Sequence, residues 1–123
     1  MAHGQITHIE IPADDVDRAR RFYRELFGIE TGEIDGMPGY FLFSMGEIKA
    51  AGGAIGKRGE SIANHMRVYL EVDAIDPILA RVPELGGTVT TPRTEIQGQG
   101  HFAVIDDSEG NELGLFEGMP TAE

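Results

Sequence analysis

The chain contains no cysteine. Disulfides, a thiolate nucleophile and thiolate metal sites are thereby excluded. Basic residues are scarce: 10 lysines and arginines stand against 21 aspartates and glutamates, for a net charge of −11. Nucleic-acid binding needs a basic surface, so no nucleic-acid partner is expected. An anionic membrane surface is disfavoured on the same ground. No apolar run reaches the about 20 residues that a membrane span requires, and the opening MAHGQ lacks the apolar core of a signal peptide. A cytoplasmic location is the expectation. There is no glycine loop of the kind that cradles phosphate, and no Ser/His/Asp arrangement can be read. The acidic stretch DDSEGN, residues 106–111, lacks the spacing of a calcium loop and reads as a hairpin turn.

What remains is a turn-rich chain with strong local patterns. Its 123 residues suit a single domain, 1–123, with a real core. Seventeen glycines punctuate short elements, as a sheet protein requires. The clearest pattern runs from Ile6 to Gly28. Ile6–Ile11 predicts a strand. Side chains alternate along it, so Thr7, Ile9 and Ile11 share one face and Ile6, His8 and Glu10 the other. Buried ionisable groups are costly in an apolar layer. Ile9 and Ile11 should therefore pack under a helix while His8 and Glu10 face away. The helix follows, with Asp14 as its expected cap and Asp15 and Asp17 near its positive end. Val16, Ala19, Phe22, Tyr23, Leu26 and Phe27 predict one apolar stripe, and Gly28 a left-handed stop.

Ile29–Ile34 predicts a short strand, with a turn through residues 35–39. Residues 39–44 (GYFLFS) form the best strand by propensity. Met45-Gly46-Glu47 reads as a turn, and Ile48–Ile55 as a weaker strand. Residues 56–64 read as a polar linker. The pattern then recurs: a strand over Arg67–Val72, a helix capped by Asp73 or Asp76 with Pro77 in its first turn, and a strand Thr88–Thr91 ended by Pro92. Strands at 101–105 and 112–117 follow, and a loose tail from Gly118. In the second helix the apolar positions are Ile75, Ile78, Leu79, Val82 and Leu85. Pro83 lacks the N–H that would bond Leu79, which predicts a kink or break with Val82 the last regular position.

Two strand-helix-strand-strand-strand repeats result, about 5–55 and 65–117. Tyr69 lies 61 residues after His8, and Gly87 lies 59 after Gly28. Each repeat leaves one sheet face open, which suggests that the faces enclose a space lined by Ile6, His8, Glu10, Arg67, Tyr69 and Glu71.

HIEIPADDVDRARRFYRELFG, followed by FAVIDDSEGNELGLFE, resembles the vicinal-oxygen-chelate superfamily of glyoxalase I, the bleomycin-resistance proteins and the extradiol dioxygenases. The resemblance runs from Ile6 to Glu117. It implies an α+β fold of two βαβββ modules forming a curved, partly closed mixed sheet around a cavity, with the helices outside. It implies a small-molecule ligand. It also implies metal ligands from the first and last strands of each module, mostly His and Glu. His8 matches the first such position. By the same resemblance the second-module counterpart falls on Tyr69, a poor ligand when neutral, and Gly114 of GNELGLFE stands where the family's glutamate would be. The last strand of the first module carries no carboxylate, Glu47 lying in the turn before it. One usual ligand is left where a divalent ion wants several. No cofactor is therefore expected. A rearranged divalent centre would have to use His8, Glu10, Glu71 or His101.

Among the site candidates, His8 is expected to be a cavity-facing polar group, with a histidine satisfied by a neighbour as the plainer alternative. Glu10 and Glu71 as a pair would suit general acid–base catalysis. The plainer reading gives each an arginine partner, Arg67 being available to either. Tyr69 either donates a hydrogen bond to a ligand or fills the sheet. His101 is expected at a rim or on the surface. A homodimer is expected, with Phe41, Phe43 and Phe102 as candidate contacts. Two function classes stand: a metal-free protein that binds a small organic molecule, as the bleomycin-resistance relatives do, and a lyase, isomerase or dioxygenase with an atypical centre.

Overall fold

The computed structural model describes residues 4–45 and 48–119. The chain divides into two compact units. Thr7–Val68 forms one; the described residues from Tyr69 onward, joined by those before Thr7, form the other. Both carry the expected βαβββ order, so the class is α+β.

In the first repeat, β1 spans Gln5–Ala13, α1 Val16–Phe27, β2 Gly32–Ile34, β3 Met37–Met45 and β4 Ile48–Lys57. The strands lie side by side in the order β2-β3-β4-β1. β1 runs parallel to β4, and the hairpin partners are antiparallel. Because β1 continues to Ala13, the helix cap falls one residue later than expected. Asp15, not Asp14, is extended and accepts the Arg18 N–H at 3.0 Å. Asp14 instead holds the Arg58 guanidinium at 2.8 Å. Gly28 stops the helix in the left-handed region, as expected.

The expected apolar stripe of α1 divides. Val16, Ala19 and Tyr23 are half-buried, whereas Phe22, Leu26 and Phe27 are exposed. α1 packs along β4, and Ile9 and Ile11 of β1 stay only half-buried. Arg20 anchors the helix instead. Its guanidinium lies 4.1 Å above the Phe41 ring and its Nε donates to Thr31 at 2.7 Å. Phe41 is thus covered from the helix side, and the Phe43 ring lies against Gly53. Both are half-buried within the repeat.

Residues 37–39 belong to β3, not to a turn. Gly36 takes a φ of 84°, which closes the hairpin in two residues and pairs Met37 with Ile34. A register shift there accommodates Pro38. β2 is shorter than expected, starting at Gly32. Gly46 and Glu47, read as a turn, lie outside the described residues. The expected linker is not one. Gly56 and Lys57 complete β4, and the chain turns back so that Ile62, 5% exposed, packs with Tyr40 and Ala54.

In the second repeat, β5 spans Arg67–Glu71, α2 Ile75–Arg81, β6 Thr88–Ile96, β7 Gly100–Asp106 and β8 Glu112–Gly118. Their order, β5-β8-β7-β6, repeats that of the first half. The core gathers Val72, Ile75, Val82, Ala103, Ile105 and Leu115. Neither Asp73 nor Asp76 caps α2. The cap residue is Ala74, whose methyl group can accept no hydrogen bond. Glu117, from the end of β8, supplies the acceptor: its Oε1 takes the Ile75 N–H at 2.8 Å.

Pro83 breaks α2 as expected. Val82 bonds Ile78 and Leu79, and residues 83–85 wind into a single 3-10 turn. Pro92, by contrast, does not end its strand. β6 lies at the end of the strand order, and register shifts flank Pro92. An edge position with a bulge requires no N–H from it, so β6 continues to Ile96. Gly118 belongs to β8 and not to a loose tail, and residues 120–123 lie outside the described set.

Candidate functional site

In the first repeat, β1 and β3 build a buried polar cluster beside apolar neighbours. His8 and Glu10 lie two residues apart on β1 and share a face; Glu10 pairs in register with Ala54 of β4. Tyr40 of β3 joins them. Its O–H donates to Glu10 Oε2 at 2.7 Å, and His8 Nε2 lies 2.8 Å from the same phenol oxygen. The His8 and Tyr40 rings stack, 13° apart in plane with centroids at 6.3 Å. Arg67, at the start of β5, brings Nη1 to 3.8 Å from Glu10 Oε1. The ion pair is well covered, its side chains 16% and 10% exposed. The arginine partner foreseen for Glu10 is present, and so is the neighbour that satisfies His8.

The hydrogen count fixes the histidine tautomer. A phenol has one hydrogen. Glu10 takes it, so the Tyr40 oxygen must accept from His8, and Nε2 carries a hydrogen. Burial lowers the His8 pKa, because desolvation disfavours the cation. His8 therefore stands neutral at pH 7, with Nε2 committed as a donor.

The second repeat treats its equivalent face differently. The caps Asp15 and Ala74 are 59 residues apart. The same step carries buried Glu10 to buried Tyr69 and buried Ala13 to buried Val72. The structural counterpart of His8 is therefore Arg67, and Tyr69 is the counterpart of Glu10, a correction to the expected spacing. Tyr69 is 7% exposed and its ring lies flat on Gly114. A Cβ at position 114 would sit 2.4 Å from two ring carbons. Glu71 is half-buried at the end of β5, and its carbonyl accepts the Gly4 N–H at 2.7 Å. His101 is half-buried on β7, with Nδ1 3.3 Å from Arg93 Nη2.

These positions do not fit the family's divalent ion. Tyr69 fills the space that a side chain at 114 would need. Arg67, a permanent cation, stands at the counterpart of His8, and His8 Nε2 is spent on Tyr40. Among the described residues no three His, Asp or Glu side chains gather as a metal site would require.

Two residues escaped the sequence reading. Tyr40 was seen only as part of a hydrophobic strand; its alternation with Phe41 and Phe43 was the available signal. Glu117 binds both the α2 terminus and Arg93, at 2.8 Å from Nη2. Its carboxyl is held below the usual range, first by the Arg93 hydrogen bond and then by the Ile75 N–H. Nothing local in LGLFE announces that role.

Comparison with known proteins gives concordant matches. The family model of the Glyoxalase/Bleomycin resistance protein/Dioxygenase superfamily matches residues 5–115. A glyoxylase-like domain-containing protein of Didymella fabae is 30% identical over 117 residues, covering 90% of this chain and 91% of that one. The protein CFP32 of Mycobacterium bovis is 28% identical over 119 residues, 95% of this chain. The match spans 45% of CFP32, so the chain corresponds to about half the length of that relative. In fold, it is similar to methylmalonyl-CoA epimerase from Mycobacterium tuberculosis. The TM-score is 0.71 at 18% identity, covering 94% of this chain and 89% of that one.

Proposed function

Since the chain belongs to the Glyoxalase/Bleomycin resistance protein/Dioxygenase superfamily, we propose that it binds a small organic molecule without that superfamily's standard metal site. The carrying observation is the buried His8–Tyr40–Glu10–Arg67 cluster. A buried polar network is costly to leave half-satisfied and contributes less to stability than apolar packing would. Its presence on a strand face expected to line a cavity is best explained by a ligand. Tyr40 and His8 offer a flat polar surface, and Arg67 and Glu10 offer one charge of each sign. Localisation in the cytoplasm also stands as a proposal.

A lyase, isomerase or dioxygenase with an atypical metal centre is the second reading. The retained His8 beside a carboxylate favours it. The two are separated by titrating EDTA-treated, isotope-labelled protein with a small-molecule library and following backbone amide resonances. Ligands that shift His8, Glu10, Tyr40 and Arg67 in the absence of metal support the first reading. Ligands that bind only after a transition metal is restored support the second.

A further inference from the structure

We propose that the exposed face of α1 docks an acidic peptide segment of a partner protein, one that carries leucine or aromatic side chains among its carboxylates. The inference is independent of the ligand reading, since no residue of this face belongs to the His8 cluster.

α1 packs one side along β4 and leaves an apolar patch uncovered. Phe22, Leu26 and Phe27 are 55%, 60% and 64% exposed. Single exposed apolar side chains are ordinary, whereas a contiguous group marks an interaction surface. These three are contiguous. Phe22 meets Tyr23 edge-on with centroids at 5.2 Å, Phe27 stacks on the same Tyr23 at 6.3 Å, and Leu26 stands one turn beyond Phe22. Aromatic rings beside arginines are the composition that interface hot spots favour.

The charge of the helix names the partner. α1 holds Arg18, Arg20, Arg21 and Arg24, four of the chain's 10 basic residues, against Asp17 and Glu25 from its 21 acids. Asp17 pairs with Arg20 at 3.8 Å, and Asp15 is taken up by the cap. The exposed side chains of Arg18, Arg21 and Arg24 make no ion pair or hydrogen bond with another described residue. Arg18, Phe22 and Leu26 follow at steps of four and lie in one row, with Arg21 beside it. Cations thus flank the apolar patch in a chain of net charge −11. A short acidic segment is the matching occupant. Salt screens exposed charges beyond about 8 Å, so such a segment senses the arginines of α1 and little of the acidic remainder. A second copy of the chain suits the face less, since symmetric pairing sets these arginines against one another.

The test titrates the synthetic peptide EELFEELFEE, capped at both ends, into the isotope-labelled full chain and follows amide resonances. QQLFQQLFQQ keeps the apolar pattern without the charge. The acidic peptide is expected to shift residues 18–27, with the neutral one roughly tenfold weaker for the loss of three exposed ion pairs. Raising the salt should narrow that gap. The double variant Phe22→Ser with Leu26→Ser changes only exposed side chains, so its circular dichroism should match the native chain while peptide binding is lost. Arg21→Glu with Arg24→Glu should abolish the preference for the acidic peptide. Equal binding of the two peptides overturns the assignment, as do shifts confined to other residues, undiminished binding in the serine variant, or no binding at all. Two further results reassign the face and overturn it equally. One is self-association in sedimentation that the serine variant abolishes, which gives the face to a second copy. The other is binding to phosphatidylserine vesicles through the same residues, which gives it to a membrane. None of these outcomes bears on the reading of the His8 cluster.

Discussion

Single residues carry the chemistry, and the sequence exposed some more plainly than others. His8, Glu10 and Arg67 were legible because alternation along β1 and along β5 separates one face from the other, and the structure joins all three. Tyr40 was not, since its partners lie 30 and 32 residues away and its own strand is otherwise apolar. Tyr69 was misassigned by two positions, because helix-stop glycines and polar strand residues gave different spacings. Only the caps and burial decide between them.

His8 yields a pH prediction. Its pKa is lower folded than unfolded, so the folded state binds fewer protons. Stability is then complete above the ordinary histidine value of about 6.5 and falls as pH drops below it, levelling once the folded pKa is passed. Urea midpoints across that window should show this decline, and His8→Asn should flatten it; an unchanged slope in the variant contradicts the assignment. Gly114→Ala forces a methyl into the Tyr69 ring. Overpacking of this kind costs about 1–3 kcal/mol. Calorimetry should show the loss, and Tyr69→Ala in the same chain should relieve the clash. A neutral Gly114→Ala would mean that the ring yields freely.

At the scale of elements, the order of strands and helices was readable throughout, while caps and ends were not. A cap depends on which backbone groups a distant side chain reaches. α2 shows this: local aspartates looked adequate, yet Glu117, 42 residues away in sequence, is the acceptor. Glu117→Ala should lower stability by about 1 kcal/mol at neutral pH, in line with the loss of a helix cap. The carboxyl is held below its usual range, so this contribution is present above that range and lost as pH falls through the folded value. The difference between native and variant unfolding midpoints should therefore shrink in acid. Pro92 teaches the converse. Proline reads as a terminator, but the edge of a sheet with a bulge has no bond for it to break. Pro92→Thr should change stability by no more than about 0.5 kcal/mol; a large change either way would show that the ring holds the bulge.

The whole molecule is a repeat whose two halves have diverged at the same places. One half buries Glu10 where the other buries Tyr69, and presents a histidine where the other presents an arginine. Spacing revealed the repeat and composition the excess of acid, but not this exchange of roles, which only equivalent positions in space disclose. A homodimer is retained as a proposal. Light scattering should give twice the chain mass, and a monomer at high concentration contradicts it.

Metal content tests the account most directly. Purified protein equilibrated with zinc, manganese and ferrous iron, then desalted, is analysed for bound metal per chain. The closed positions at His8, Arg67 and Gly114 predict far less than one ion per chain, with the same value in His8→Ala. One tightly held transition-metal ion per chain, lost when His8 is removed, would contradict it.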